Sequence, residues 1–99
     1  MDLGLTIKKL RQQNGFNQSQ FAEVCSITQT YLSQIENNLK EPNISTLRNI
    51  SNKLSVPLPV LFFLTLDDND IQEEKRNAFN LLAPSIKSMI SEFFSVTPA

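Results

Sequence analysis

The chain has 99 residues, enough for one domain with a modest core. Its 9 basic and 10 acidic residues give a net charge of −1, which argues against a strongly basic protein that coats nucleic acid. Histidine is absent and cysteine occurs once, which excludes His-based acid–base catalysis, Cys/His zinc sites and an internal disulfide.

The first two predicted elements are short amphipathic helices. Between residues 3 and 14, apolar side chains recur at intervals of four and three, and Gly15 supplies the C-terminal cap. Asn17 then stands where the N-cap of a second helix belongs. Phe16 and Phe21 lie on either side of it, so we expect them to form a hydrophobic staple.

A third helix is predicted from an N-cap at Thr28 to about Asn37, with Leu32 and Ile35 on its apolar side. Its other face is polar but almost uncharged, whereas exposed helix faces are usually rich in Lys and Glu. The residues of this face are Gln29, Thr30, Ser33, Gln34 and Asn37.

Two further helices complete the first part of the chain. Apolar residues recur at helical spacing from Ile44 to Leu54, behind a cap at Asn43 or Ser45. Five consecutive apolar residues at 60–64 predict a short fifth helix.

Apolar residues recur again from Ile71 to Phe94, at roughly helical spacing. Pro84 lies inside this pattern, and proline removes a helical N–H and clashes with the preceding turn. We therefore predict that the segment is kinked or divided there, with Ser85 capping the restarted helix. The predicted fold class is all-α, a five-helix bundle followed by a C-terminal, Pro-kinked helical segment.

Charge divides the chain at the acidic stretch 66–70. Residues 1–64 hold six basic and four acidic residues, a charge of +2, whereas residues 65–99 hold three and six, a charge of −3. We predict a domain at residues 1–66, and an acidic linker and C-terminal helix at residues 67–99. The acidic residues lack the pattern of a cation-binding loop, so no metal site is expected.

The residues at 17–22, 27–28 and 35–38 read Asn-Gln-x-x-Phe-Ala, Ile-Thr and Ile-Glu-Asn-Asn, and Pro42 and Leu47 follow. This pattern resembles the phage repressor/Cro-type (XRE) helix-turn-helix family over about residues 5–62. The resemblance implies a repressor-like helix-turn-helix bundle, with residues 1–66 as the DNA-binding domain. The family usually has Gly at positions that Ser26, Asn38 and Ser55 occupy here.

The polar face of the third helix is then a candidate for reading bases. Glutamine can bond bidentately to adenine, and a threonine methyl can contact the methyl of thymine. By similarity to the family, the base-reading residues are Gln29, Thr30 and Gln34, with Ser33 next. The predicted phosphate contacts are Asn17, Gln18, Thr28, Tyr31, Asn37 and Lys40.

Arg11 and Glu36 match a pair that, in the family, links the first helix to the end of the third. An unpaired Glu36 would repel DNA, so an ion pair with Arg11 accounts for both residues. Such a pair could also turn the guanidinium toward phosphate. The alternative is two unpaired surface charges of little energetic value.

The apolar residues beyond the five-helix unit exceed what a small monomer can bury. A second copy of the chain would cover them with two-fold symmetry, and the alternative is a last helix that folds back on its own bundle. The residues predicted to form the dimer interface are Phe62, Phe63, Phe79, Leu82, Ile86, Ile90, Phe93 and Phe94.

The leading prediction is a transcriptional regulator that binds double-stranded DNA, acting as a dimeric repressor or autoregulator. It would read a palindromic operator through the major groove. The alternative is a protein-interaction module, or an antitoxin-type protein that holds a partner with its C-terminal apolar helix. Neither requires a cofactor or catalysis. With no apolar run long enough for a membrane span and no signal peptide evident, we expect a cytoplasmic location and no membrane partner.

Overall fold

The computed structural model describes residues 1–94, which fold into six α-helices. In chain order these are α1 (Leu3–Gln13), α2 (Gln18–Val24), α3 (Gln29–Glu36), α4 (Ile44–Lys53), α5 (Leu58–Thr65) and α6 (Arg76–Phe94). Two single 3₁₀ turns, Asp68–Asp70 and Glu73–Lys75, connect α5 to α6. The predicted all-α architecture of five short helices and a C-terminal helical segment is confirmed. The last five residues of the predicted segment 67–99 lie outside the described residues.

Local side-chain bonds fix the start of α2 as predicted. The Asn17 Oδ1 accepts the N–H of Gln20 at 2.7 Å, and the Gln20 side chain accepts the N–H of Asn17 at 3.0 Å. The rings of Phe16 and Phe21 lie 5.4 Å apart across this cap. The capping box and the hydrophobic staple therefore both form.

Single side chains cap α3 and α4. The Thr28 hydroxyl accepts the N–H of Tyr31 at 3.0 Å, and the Asn43 Oδ1 accepts the N–H of Thr46 at 2.8 Å. Asn43, rather than Ser45, is thus the cap of α4.

The first four helices all end in the same way, with one residue in the left-handed conformation. These residues are Gly15, Ser26, Asn38 and Ser55, with φ of 81°, 57°, 58° and 62°. In each case that residue and the next one donate their N–H groups back to carbonyls of the last helical turn. This is the Schellman motif, and three of the four copies use a residue with a side chain where glycine is the common choice.

The five short helices enclose one core. Its fully buried members include Ile7, Phe21, Leu32, Ile35, Ile50, Leu54 and Leu61. Cys25 also lies in this core, and its burial raises the pKa of the thiol to about 11. Ile44 belongs to the predicted apolar stripe of α4 but is 53% exposed, because it is the first helical residue and lies at the edge of the bundle.

The start of α1 packs directly against the end of α3. The N–H of Gly4 donates to the Asn38 Oδ1 at 3.0 Å. A Cβ atom on Gly4 would lie 2.5 Å from the carbonyl oxygens of both Ile35 and Glu36. Only glycine permits this approach, so Gly4 determines how closely α1 lies against the third helix.

The C-terminal helix differs from its prediction at two points. It continues through Pro84 without dividing, so Ser85 does not cap a restarted helix. Proline deprives only the Asn80 carbonyl of its helical donor, and Asn80 is exposed to water, which can supply the missing bond. The helix also begins at Arg76 and not at Ile71, where the predicted pattern starts. Ile71 has extended backbone angles and lies between the two 3₁₀ turns.

Helix α6 has two apolar sides. Ile90 and Phe94 pack against the core of the five-helix bundle, and Ala83 is buried. Leu81 is exposed, and next to the packed side four more apolar residues at spacings of four, three and four remain exposed. This outward stripe consists of Leu82, Ile86, Met89 and Phe93.

Candidate nucleic-acid interface

Helices α2 and α3 place five uncharged side chains around one surface depression. It has a volume of about 320 Å³ and is lined by Gln18, Gln29, Thr30, Ser33 and Gln34. The structure thus brings the four predicted base readers together with Gln18, the first residue of α2. Amide and hydroxyl groups supply both hydrogen-bond donors and acceptors there.

Beneath this depression, Arg11 and Glu36 form an ion pair. The guanidinium donates from Nε to Oε2 at 2.7 Å and from Nη2 to Oε1 at 3.0 Å. Its Nη1 donates to the Phe16 carbonyl at 2.9 Å. The two charged side chains are only 6% and 2% exposed. The predicted pair of Arg11 and Glu36 is thus present, with three guanidinium N–H groups bonded inside the domain, and a contact of Arg11 with phosphate stays a prediction.

Gln18 connects the buried ion pair to the surface. Its Nε2 donates to the Glu36 Oε1 at 3.1 Å, and its Oε1 accepts from the Gln29 Nε2 at 3.4 Å. The contacts thus run from Arg11 through Glu36 and Gln18 to Gln29. The sequence predicts Glu36 only as the partner of Arg11. Its bond to Gln18 carries no sequence signal, because the two residues stand 18 positions apart on different helices.

Of the predicted phosphate-contacting residues, Gln18 lines the depression, and the others differ in exposure and in the bonds that their side chains already make. Asn17 and Thr28 are exposed, but their side-chain oxygens accept the capping bonds. Asn37 is exposed and donates from Nδ2 to the Ser33 carbonyl at 2.9 Å. Lys40 is exposed on the loop after α3.

Tyr31 differs from these residues, because its ring is half-buried and packs against the core. The part of the side chain left at the surface is limited accordingly. Tyr31 therefore helps to hold α3 on the bundle, whatever it contacts outside it.

Residues 1–94 contain no group of three or more His, Cys, Asp or Glu side chains that could hold a metal ion. Over the same range, no helix combines the length and the apolar character needed to cross a membrane.

Two short helices joined by a tight turn, the second presenting a polar, uncharged face, define a protein of the helix-turn-helix class. A family model described as helix-turn-helix matches residues 7–61. The chain belongs to the XRE-type helix-turn-helix family, as its sequence pattern predicted.

Two bacterial relatives have the names of transcriptional regulators. The chain is 32% identical over 92 residues to the HTH-type transcriptional regulator ImmR of Bacillus subtilis (strain 168), covering 93% of this chain and 68% of ImmR. It is 42% identical over 55 residues to the HTH-type transcriptional regulator SutR of Escherichia coli (strain K12). That match covers 56% of this chain and only 31% of SutR, so the likeness to SutR is confined to part of that protein.

Solved structures of SinR share the fold. In a crystal structure of SinR, a master regulator for biofilm formation, in complex with DNA, the match has a TM-score of 0.58 at 36% identity. It covers 61% of this chain and 97% of that one. A SinR protein/SinI protein complex matches with a TM-score of 0.59 at 27% identity, covering 94% of this chain and 91% of the other. The second match therefore extends over most of α6.

Proposed function

We propose that this protein is a transcriptional regulator that binds double-stranded DNA in a sequence-specific manner. The observation that carries the proposal is the depression lined by Gln18 and the four polar residues of α3. An uncharged face rich in amides suits hydrogen bonding to base edges and contributes little to solubility. The similar SinR chain in complex with DNA supports the same conclusion.

In this proposal the start of α3 enters the major groove. Gln29 and Gln34 bond to adenine through their amides, and Thr30 contacts thymine through its methyl group. Ser33 adds a hydroxyl that can bond to either kind of base edge. These side chains line one depression, so a single groove can meet all of them.

Phosphate contacts from residues outside the base-reading set would position the domain on the duplex. Lys40 supplies a charge, and Asn37 and Gln18 supply amide donors. The proposed set also includes Asn17 and Thr28, through the donor groups of their side chains, and Tyr31, through its hydroxyl. The first 64 residues have a charge of only +2, so we expect weak non-specific affinity and a modest salt dependence.

We further infer that the protein acts as a homodimer on a palindromic operator, with the outward stripe of α6 at the interface. An exposed apolar stripe at spacings of four, three and four is the pattern of a helix that pairs with another helix. The predicted dimer residues Leu82, Ile86 and Phe93 belong to it. Ile90 and Phe94 do not, because they pack against the core of their own bundle. Phe79 does not either, because it is half-buried and lines a depression together with Leu66 and Ala83.

The α5 residues of the predicted interface are half-buried. Phe62 packs against the core, and Phe63 is partly covered. They stay in the proposal as the edge of the interface rather than its centre. Such a dimer would repress transcription when its operator overlaps a promoter. A cytoplasmic location fits a regulator of this kind.

The proposed function is tested by selection from a library of random duplex DNA. The purified full chain should enrich an inverted repeat whose half-sites lie about one helical turn apart. Gln29→Ala should relax preference at one base position per half-site and cost roughly 1–3 kcal/mol. Gln18→Ala should weaken binding to every sequence, because it removes a proposed phosphate contact. Gln72→Ala is the matched control, because Gln72 is exposed in the linker and makes no capping bond.

Two results would count against the proposal. A chain that enriches no sequence does not read DNA. If the Gln29→Ala variant and the wild type bind the selected duplex equally, another surface of the protein reads the bases.

The dimer is tested separately by sedimentation equilibrium in the absence of DNA. The wild type should approach twice 11.2 kDa as concentration rises, whereas Leu82→Ser/Phe93→Ser should remain at 11.2 kDa. Lys53→Ser, an exposed substitution on α4, serves as the control. A wild type that is monomeric at all concentrations would refute the homodimer.

A second candidate function follows from the SinR protein/SinI protein complex, in which a similar chain is bound to another protein. In that case a different protein would cover the outward stripe. A monomeric wild type that forms a stable complex with a co-expressed protein, lost in Leu82→Ser/Phe93→Ser, would favour this candidate.

A further inference from the structure

We propose that Glu36 is a positioning residue for base recognition, because it fixes which way the amide of Gln29 faces the bases. This inference rests on the proposed function, since it concerns reading by the same surface. The Glu36 side chain is only 2% exposed. Any influence on DNA must therefore pass through the side chains that it contacts.

The Glu36 carboxylate acts as a pure acceptor of hydrogen bonds. Both of its oxygens accept hydrogen bonds from the Arg11 guanidinium, and a carboxylate group only accepts. Its Oε1 also accepts from the Gln18 Nε2 at 3.1 Å. If the Gln18 amide were turned over, its oxygen would face the carboxylate, which is repulsive. Glu36 therefore selects one of the two orientations of Gln18.

Gln18 passes this orientation on to Gln29. With its NH₂ group toward Glu36, Gln18 presents its Oε1 to the Gln29 side chain, where it accepts from Nε2 at 3.4 Å. The contact is long for a hydrogen bond, so it biases Gln29 rather than locking it. A turned Gln29 would set two carbonyl oxygens face to face. The preferred orientation of Gln29 is thus the one with its nitrogen toward Gln18.

In this orientation, Gln29 offers a fixed order of donor and acceptor to DNA. One N–H is engaged by Gln18, which leaves the second N–H and the carbonyl oxygen for the base. Adenine presents one acceptor and one donor in the major groove, so this order of groups can satisfy both. A turned amide presents the reverse order. The fixed direction of the hydrogen bonds from Glu36 outward would therefore favour one base at the position that Gln29 reads.

An amide in place of the carboxylate would remove this bias, because it can either donate or accept. In Glu36→Gln, both orientations of Gln18 and then of Gln29 become available. The preference at the base that Gln29 reads should fall about tenfold, which lies within the range of a lost bidentate contact. Preferences at the other positions of the site should not change.

The test uses the duplex that the wild-type chain selects from the random library, with Gln29→Ala identifying the base pair that this residue reads. Binding is then measured to that duplex and to the three duplexes substituted at this base pair. Arg11→Lys is the matched control, since it weakens the ion pair but keeps the carboxylate. It should lose stability and retain the full base preference.

A second comparison separates this role from a purely structural one. Gln18→Met keeps the ion pair but interrupts the chain of amides, so it should lose the same base preference as Glu36→Gln. The double variant Gln18→Met/Glu36→Gln should lose no more base preference than either single variant. If Glu36→Gln does not fold because the Arg11 charge is left unpaired, Arg11→Met/Glu36→Gln provides the same amide without a buried charge.

The outcomes separate the two ideas. A folded Glu36→Gln or Arg11→Met/Glu36→Gln variant that keeps the full base preference overturns the positioning role and leaves the proposed function standing. If Arg11→Lys loses as much base preference as Glu36→Gln, the positioning role is overturned in the same way. A wild-type chain that selects no duplex refutes the proposed function itself.

Discussion

Alanine in place of Gly4 should destabilise the fold, although alanine favours helices. Gly4 lies in the first turn of α1, and replacing a helical glycine by alanine ordinarily stabilises by up to about 1 kcal/mol. Here the new Cβ would lie 2.5 Å from the carbonyl oxygens of Ile35 and Glu36, and 2.7 Å from the Asn38 Oδ1. Helix α1 would have to move away from the end of α3 by nearly an ångström to restore ordinary contact at 3.4 Å.

The magnitude follows from these contacts. Two of the three crowded atoms belong to the backbone, so no side-chain rotation relieves them, and overpacking of this kind costs about 1–3 kcal/mol. Moving α1 also weakens the bond from the Gly4 N–H to Asn38, which contributes about 1 kcal/mol. After the gain in helix propensity, we expect a net loss of about 2 kcal/mol. In a domain of this size that lowers Tm by roughly 10 °C.

Urea denaturation followed by circular dichroism at 222 nm measures this loss. Gly15→Ala is the matched control, because a Cβ there has no neighbour within 4 Å and meets only the backbone cost of φ +81°. That cost is roughly 1–2 kcal/mol. Gly4→Ala variants as stable as the wild type, or more so, would show that the two helices do not approach as closely as described.

Three further predictions concern stability. Ser26→Gly should stabilise the domain by about 0.5–1 kcal/mol, because Ser26 has φ 57° at the end of α2, and an unchanged urea midpoint would contradict this. Arg11→Met should lower the free energy of unfolding by about 3 kcal/mol, because it leaves Glu36 buried without its cation. The double variant Arg11→Met/Glu36→Gln should recover much of this loss. A loss below about 1 kcal/mol in Arg11→Met would refute a strong dependence of stability on the pair. Because burial raises the pKa of the Cys25 thiol from 9.0 to about 11, the folded state disfavours the thiolate. The contribution of Cys25 to the free energy of unfolding is complete below pH 9 and falls as the pH rises through 9 to 11. Between pH 8 and pH 10.5, Cys25→Ala should therefore lose less stability than the wild type. An identical loss in both proteins would contradict the prediction.

Features that depend on neighbouring residues were predictable from the sequence. The caps at Asn17 and Thr28 and the Phe16–Phe21 staple form through contacts within five residues, so residue type and spacing suffice to predict them. The uncharged face of α3 was predictable for the same reason, since helical periodicity alone places its residues on one side.

Features that depend on how helices meet were not predictable in this way. The close approach at Gly4 arises because α1 lies across the end of α3, 34 residues away in sequence. The bond between Gln18 and Glu36 likewise joins two helices. The sequence also left open whether α6 folds back or faces outward. The structure shows that Ile90 and Phe94 fold back while Leu82 and Phe93 face outward, and one helical periodicity contains both sets.

Asn38 joins the end of α3 to the rest of the domain. It takes the left-handed conformation that ends the helix, its Oδ1 accepts the Gly4 N–H, and its Nδ2 donates to the Asp2 side chain at 2.8 Å. The eight residues of α3 therefore cannot unravel from this end without also releasing α1. Amide hydrogen exchange in α3 should consequently require an opening nearly as costly as global unfolding. A helix already ordered in the free protein would bind DNA without the large heat-capacity change of coupled folding.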